Sequence, residues 1–202
     1  MNLVGEIALR NLGRVDYAPT LEAMRSFTAN RDERTPDELW LLEHPPVYTL
    51  GQGATHPPVP NGIPLVKTDR GGDITYHGPG QIVLYTLVDL ARRGIKVKQF
   101  VALLEQAVID FLGGRGERRS GAPGVYVDGA KIAALGIRVR QGRAYHGLSL
   151  NVDMDLSPFC VIDPCGHRGL AVTQLRDLGI TQTMDSAGTR LAGLLIDKIE
   201  HA

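Results

Sequence analysis

At 202 residues the chain is long enough to bury a core of its own, and a single domain spanning 1–202 is expected. Its residues are 43% hydrophobic and 22% charged, a globular composition that excludes disordered and fibrous classes. Twenty-two basic residues offset twenty-two acidic ones, so no overall field draws it to nucleic acid or to an anionic membrane, and neither partner is expected.

The first residues, MNLVGEIALRNLG, lack a secretory signal pattern, and no apolar run approaches the roughly 20 residues that span a bilayer. A cytoplasmic location is expected. Two cysteines, Cys160 and Cys165, are too few for a disulfide scaffold and lack zinc-ligand spacing. The six histidines form no HxH or HxxH pair, so no metal site is expected.

In chain order, Leu3 to Leu12 alternates loosely and suggests a first strand. Asp16 to Arg34 places Tyr17, Leu21, Met24 and Phe27 three or four residues apart, which predicts an amphipathic helix with Pro19 in its first turn. Short strands are predicted at Glu38–Glu43 and Val47–Leu50, followed by a Pro- and Gly-rich loop over 54–63. Residues 70–89, RGGDITYHGPGQIVLYTLVD, combine a glycine-rich loop with an unbroken apolar run from Ile82, which reads as a strand buried on both faces. The loop supports two readings: a ligand-wrapping segment, or an ordinary hairpin turning at Gly78-Pro79-Gly80.

Val97 to Leu112 is predicted helical and stopped by Gly113-Gly114. A β-meander follows: Val125–Val127, a turn at Asp128-Gly129, Lys131–Arg140, a turn at Gln141-Gly142, and Ala144–Asp153. A loop through Cys165 leads to a short helix near Val172–Leu178. A final helix over about Asp185–Glu200 buries Leu191, Leu194, Leu195 and Ile199. Helices and hairpins mixed in this way indicate an α+β fold rather than a βαβ series.

Four residues stand out chemically. Cys165 lies in DPCGHRG (163–169), among turn formers and potential cations, where a thiolate is favoured; it is either a nucleophile or a loop residue. Cys160, among apolar neighbours, reads as filler. Lys131 heads a strand of small residues, as a surface charge or as an inward cation and proton acceptor. His77 and His146 each precede a glycine, which points to one shared site. Basic clusters at Arg115–Arg119 and Arg138–Arg143 read as solvated surface or as contacts for acidic partners. No phosphate-binding glycine loop of the usual kinds occurs.

These residues fall in five blocks. RGGDITYHGPGQIVLY (70–85) is joined by LEHPPVYT (42–49), GAKIAALGIR (129–138), HGLSLNV (146–152), and Pro164-Cys165-Gly166 with Val172-Thr173 and Leu175. In this order they resemble the lipoyl(octanoyl) transferase family of lipoate biosynthesis, over about residues 40–178. The resemblance implies an α+β domain like the catalytic cores of biotin and lipoate protein ligases, with a mixed, largely antiparallel sheet flanked by helices. It implies transfer of an octanoyl group from octanoyl-acyl carrier protein to a lysine of apo-lipoyl domains, those of 2-oxoacid dehydrogenase complexes and the glycine cleavage H protein. No cofactor is implied.

By the same resemblance Cys165 carries an acyl thioester, and Lys131 lowers its pKa and acts as acid and base. The acyl site is implied to comprise Arg70, Gly71, Gly72 and Asp73 with Ile74, Thr75, Tyr76 and His77. Ala134, Leu135 and Gly136, and His146, Gly147, Leu148 and Ser149, complete it. Ser149 stands where the family commonly has Ala, and Tyr126 where Trp is frequent. Thioester exchange is nearly neutral, so the missing nucleotide loop fits this chemistry. Eight buried carbons at about 0.8 kcal/mol per CH₂ supply roughly 5 kcal/mol of binding. Backbone N–H groups of the cysteine loop and His77 are both candidates for stabilising the oxyanion. The competing readings are an ATP-dependent lipoate or biotin ligase, a Cys–His thioester hydrolase, and a non-catalytic ligand-binding domain.

Overall fold

The computed structural model describes residues 6–54, 62–162 and 170–202. Strands β1 (Ala8–Arg14), β2 (Glu38–Glu43), β6 (Gln81–Asp89), β7 (Gly124–Val127), β8 (Ala130–Arg140) and β9 (Arg143–Asn151) form a six-stranded sheet in the order β1-β2-β6-β9-β8-β7. A second, three-stranded sheet runs β4-β3-β5, from β3 (Val47–Leu50), β4 (Leu65–Lys67) and β5 (Ile74–His77). Only the β1–β2 and β3–β4 pairs are parallel, so the sheets are mixed and largely antiparallel. The helices are α1 (Tyr17–Asn30), α2 (Leu90–Arg93), α3 (Val97–Phe111) and α4 (Met184–Glu200).

Every residue of β6 is buried because both faces of the large sheet are covered. Ile82, Leu84 and Val88 pack with α3 and α4, through Phe100, Leu104, Val108, Leu191 and Leu195. Val83, Tyr85 and Leu87 pack on the other face with Tyr17, Leu21 and Met24 of α1. The small sheet carries its own apolar cluster of Tyr48, Ile74, Tyr76 and Phe159. Asp37 fastens the end of α1 and the start of β2 to α2. Its carboxylate, wholly buried, receives Arg31 at 2.5 Å, Arg92 at 2.7 Å and Arg93 at 2.5 Å.

The meander forms as expected, turning at Asp128-Gly129 and Gln141-Gly142 with positive φ at both residues of each turn. Five expectations need correction. Gly78-Pro79-Gly80 is not a hairpin turn, because β5 pairs with β3 in the small sheet while β6 pairs with β2 and β9. The first strand begins at Ala8; residues 1–5 lie outside the described part. Val172–Leu178 is helical only at Arg176–Leu178, since Val172 bridges in parallel to Lys131. Leu194 is half-buried rather than buried. Cys160 is exposed, because its 3₁₀ turn (Ser157–Val161) turns Pro158 and Phe159 inward instead.

Candidate active site

Lys131 enters the large sheet just after the Asp128-Gly129 turn, and its backbone is held on two sides. It pairs with Tyr126 of β7, while its N–H donates to the Ala171 carbonyl at 2.8 Å and its carbonyl accepts from Thr173 at 3.0 Å. The residue is 4% exposed, and its Nζ lies 5.4 Å from the centre of the Tyr126 ring. The Tyr126 ring, itself fully buried, thus packs beside the Lys131 ammonium group. Cys165, the expected nucleophile, lies outside the described residues.

From Lys131 a cleft runs along β8 and β9, the empty space in and around it, open solvent included, amounting to roughly 740 Å³. Ala133, Ala134, Leu135 and Gly136 border it on one strand, and Gly147, Leu148 and Ser149 on the other. The facing wall comes from the loop and strand that end in His77: Arg70, Gly72, Asp73, Ile74 and Thr75. The far end is closed by backbone. Gly71 donates its N–H to the Ile137 carbonyl at 3.0 Å, and a Cβ on Gly136 would stand 2.9 Å from the Gly71 oxygen. Small residues on β8 therefore let a loop lie against the strand. Arg70 holds that loop from within, donating from Nη2 to the Thr49 carbonyl at 2.7 Å and hydroxyl at 2.8 Å.

The aromatic and imidazole side chains behind the cleft form a connected set. His77 stacks on Tyr17 with ring centres 6.1 Å apart, and His44 lies 5.9 Å from His77 and 5.8 Å from Tyr85. Tyr85 in turn meets His146 edge-on at 6.1 Å. The two histidines picked out by sequence do face one cleft. Burial drives the His77 pKa down to about 3, with repulsion from His44 adding to it and the Gln81 hydrogen bond opposing it. Burial also lowers His44 to about 4 and lowers His146, in the latter case against the attraction of Asp69. All three imidazoles are neutral at pH 7.

His146 donates from Nε2 to Asp69 at 2.9 Å, and Asp69 also accepts from the Tyr145 hydroxyl at 2.7 Å and from Arg25 at 3.2 Å. Burial alone would raise the Asp69 carboxyl. The His146 and Tyr145 hydrogen bonds outweigh it and hold Asp69 well below the usual carboxylate range. His146 adopts a φ of 62°, which few residues other than glycine tolerate. Its Nδ1 is buried without a hydrogen-bond partner among the described residues.

Two expected site residues do not border the cleft. Tyr76 points into the small-sheet cluster, 5.6 Å from Tyr48 and 5.5 Å from Phe159 between ring centres. Gly71 stands behind the wall it closes. Sequence reading missed Tyr85, Gln81 and Asn151, which do border the cleft, and Asp69 behind it. The available signal was polarity at the ends of apolar runs: Gln81 opens β6 and Asn151 closes β9, each 5% exposed or less. Among the described residues no helix is long and apolar enough to cross a membrane.

The family described as the lipoyl protein ligase A/B catalytic domain matches residues 16–193. An octanoyltransferase from Aromatoleum aromaticum is 62% identical over 92% of this chain and 82% of its own length. One from Dechloromonas aromatica is 57% identical over 96% of this chain and 97% of its own. Among solved structures, a bipartite lipoate protein ligase from Thermoplasma acidophilum superposes with a TM-score of 0.76 at 15% identity, over 96% of this chain and 84% of that one. Biotin protein ligase from Aquifex aeolicus, with biotin and ATP, gives 0.59 at 10%, over 96% and 70%. Those two likenesses concern the fold alone. With the family match running from α1 into α4 and taking in every residue that borders the cleft, the chain belongs to the lipoyl protein ligase A/B catalytic-domain family, alongside the octanoyltransferases.

Proposed function

We propose that the chain, acting over its length as one catalytic domain, moves an octanoyl group from octanoyl-acyl carrier protein to the target lysine of apo-lipoyl domains. Those acceptors belong to 2-oxoacid dehydrogenase complexes and the glycine cleavage H protein, and the setting is the cytoplasm. The observation that carries the reading is a lysine, Lys131, buried at the head of a cleft bordered by small and apolar residues. Relatives bearing the name octanoyltransferase at 57% and 62% identity support it.

In this reading the Cys165 thiolate attacks the donor thioester carbonyl. A new C–S bond forms, the carrier's C–S bond breaks, and the departing carrier sulfur takes its proton from Lys131, leaving that lysine neutral for the second step. The acceptor amine then attacks the enzyme thioester: a C–N bond forms, the bond to Cys165 sulfur breaks, and the amine proton passes to Lys131. Lys131 favours the thiolate and shuttles the proton. Thioester to thioester is nearly neutral and thioester to amide runs downhill, so neither step calls for nucleotide.

The test is an intact mass after incubation with an octanoyl thioester and no ATP. One octanoyl adduct is expected on the wild type, none on Cys165→Ser, and loss of the adduct on adding an apo-lipoyl domain. A wild type that stays unmodified refutes the mechanism. Free octanoate released without acceptor identifies a hydrolase instead.

A further inference from the structure

Four groups at the Lys131 end of the cleft are joined by hydrogen bonds that run in one direction. The Thr173 carbonyl can only accept, so Asn151 Nδ2 donates to it at 2.9 Å. Asn151 Oδ1 is then an acceptor, and Gln81 Nε2 donates to it at 3.0 Å. The same Nε2 donates to the Tyr76 carbonyl at 3.2 Å, a second partner that can only accept. Gln81 Oε1 is thereby left facing His77 Nδ1 at 2.7 Å, so the proton of the neutral imidazole sits on Nδ1. Flipping either amide would set two acceptors against each other in a place where Gln81 is 1% and Asn151 5% exposed. A backbone carbonyl thus fixes, through two side-chain amides, the tautomer of a histidine on the cleft wall.

The chain is anchored beside Lys131. Gln81 and Asn151 are register partners in β6 and β9, and Thr173, which receives Asn151, donates its own N–H to the Lys131 carbonyl. His77 Nε2 consequently presents a lone pair at this end of the cleft. A histidine in this tautomer offers no proton to an oxyanion, which removes His77 from the candidates for that role. It can take a hydrogen bond. Of the reactants, the acyl thioester brings acceptors only, whereas a neutral lysine amine brings N–H groups that an apolar cleft would otherwise leave unpaired at about 1–3 kcal/mol each.

We propose that Gln81 and Asn151 are positioning residues that hold His77 in its Nδ1–H tautomer, so that His77 Nε2 accepts a hydrogen bond from the incoming lysine amine and turns the amine lone pair toward the enzyme-bound thioester carbon. This rests on the acyl-transfer reading above. Burial keeps the imidazole unprotonated across the working pH range, so the acceptor is always present.

Two measurements on the full chain test it. Long-range ¹H–¹⁵N correlation spectra of the wild type should show His77 protonated at Nδ1; Gln81→Leu should populate the other tautomer, and Asn151→Leu, which leaves Gln81 Nε2 the Tyr76 carbonyl, should do so to a smaller extent. In Gln81→Leu, transfer of the octanoyl adduct to an apo-lipoyl domain should slow about ten-fold more than adduct formation, the rate equivalent of one lost hydrogen bond. An Nε2–H tautomer in the wild type overturns the proposal, and so does equal slowing of adduct formation and transfer. A wild type with the Nδ1–H tautomer that forms no adduct would instead refute the acyl-transfer reading and with it the amine's role, while upholding the hydrogen-bond chain.

Discussion

Lowering the pH from 7 to 5 should weaken this fold through imidazoles that its interior keeps neutral. His44 has no exposed surface. Its Nδ1 donates to the Val15 carbonyl at 2.6 Å, and its Nε2 accepts from the Tyr85 hydroxyl at 2.8 Å. A second proton on this ring would confront the Tyr85 O–H with a donor and place a charge where water does not reach. Burial accordingly puts its folded pKa at about 4, and that of His77, only 7% exposed, at about 3. In the unfolded chain both take up a proton near pH 6.5.

Below pH 6.5 the unfolded state therefore binds protons that the folded state refuses, so stability present at pH 7 is lost as the pH falls toward the folded pKa values. Each pH unit below 6.5 costs about 1.4 kcal/mol per histidine, or about 2 kcal/mol each and about 4 together at pH 5. His146, also lowered, acts in the same direction. For a chain of this size a loss of about 4 kcal/mol lowers Tm by roughly 8–16 °C. Urea and thermal unfolding followed by far-UV circular dichroism at half-unit steps between pH 7 and 5 would measure it. His44→Asn, lacking one titrating ring, should show a visibly shallower pH dependence than the wild type. A Tm constant within 2 °C across that range, or an unchanged slope in His44→Asn, would show that these rings are not held neutral.

Two further substitutions have outcomes fixed by geometry. Asp37→Asn leaves Arg31, Arg92 and Arg93 converging on an uncharged amide at a buried point, and about 3–5 kcal/mol should be lost from the urea unfolding free energy. Gly136→Ala sets a Cβ 2.9 Å from the Gly71 oxygen and 3.2 Å from Arg70 Cδ, so the loop must give way. Octanoyl loading should slow, with a stability change of about 1–3 kcal/mol, read by adduct kinetics and unfolding in parallel.

Local signals carried the elements well. Asp128-Gly129 and Gln141-Gly142 announced the two meander turns because positive φ at consecutive positions favours Gly, Asp and Asn. The unbroken run of β6 announced burial on both faces. Pairing between distant segments was hidden. Gly78-Pro79-Gly80 looks like any hairpin turn, and nothing nearby says that β5 joins a different sheet from β6. Val172 follows a loop and precedes a 3₁₀ turn, yet it bridges to Lys131, about forty positions upstream. The candidate site was legible where it depends on residue type in a block, as with His77, Gly136 and Ser149. Asp69, Gln81 and Asn151 act through partners 77, 4 and 22 positions away, and no local pattern marks such pairs.

The cleft owes its shape to backbone more than to side chains. From Lys131 to Gly136 the strand advances five residue steps, about 16 Å at the usual rise, and there the Gly71 peptide lies across it. On the neighbouring strand, a Cβ at Gly147 would run into the Leu84 carbonyl oxygen, so that position has to stay bare as well. Peptide groups in paired strands do not swing aside as a leucine or methionine end does. A chain threaded from the Lys131 end thus meets a fixed stop rather than a compressible one. The polar groups around it are treated in the same way: His44 and Tyr85 satisfy each other, and Asp69 gathers Tyr145, His146 and Arg25. Backbone walls and the pairing of His44 with Tyr85 and of Asp69 with its three donors thus give a slot of fixed shape, with Lys131 at its head and Arg70 beside the Gly136 stop.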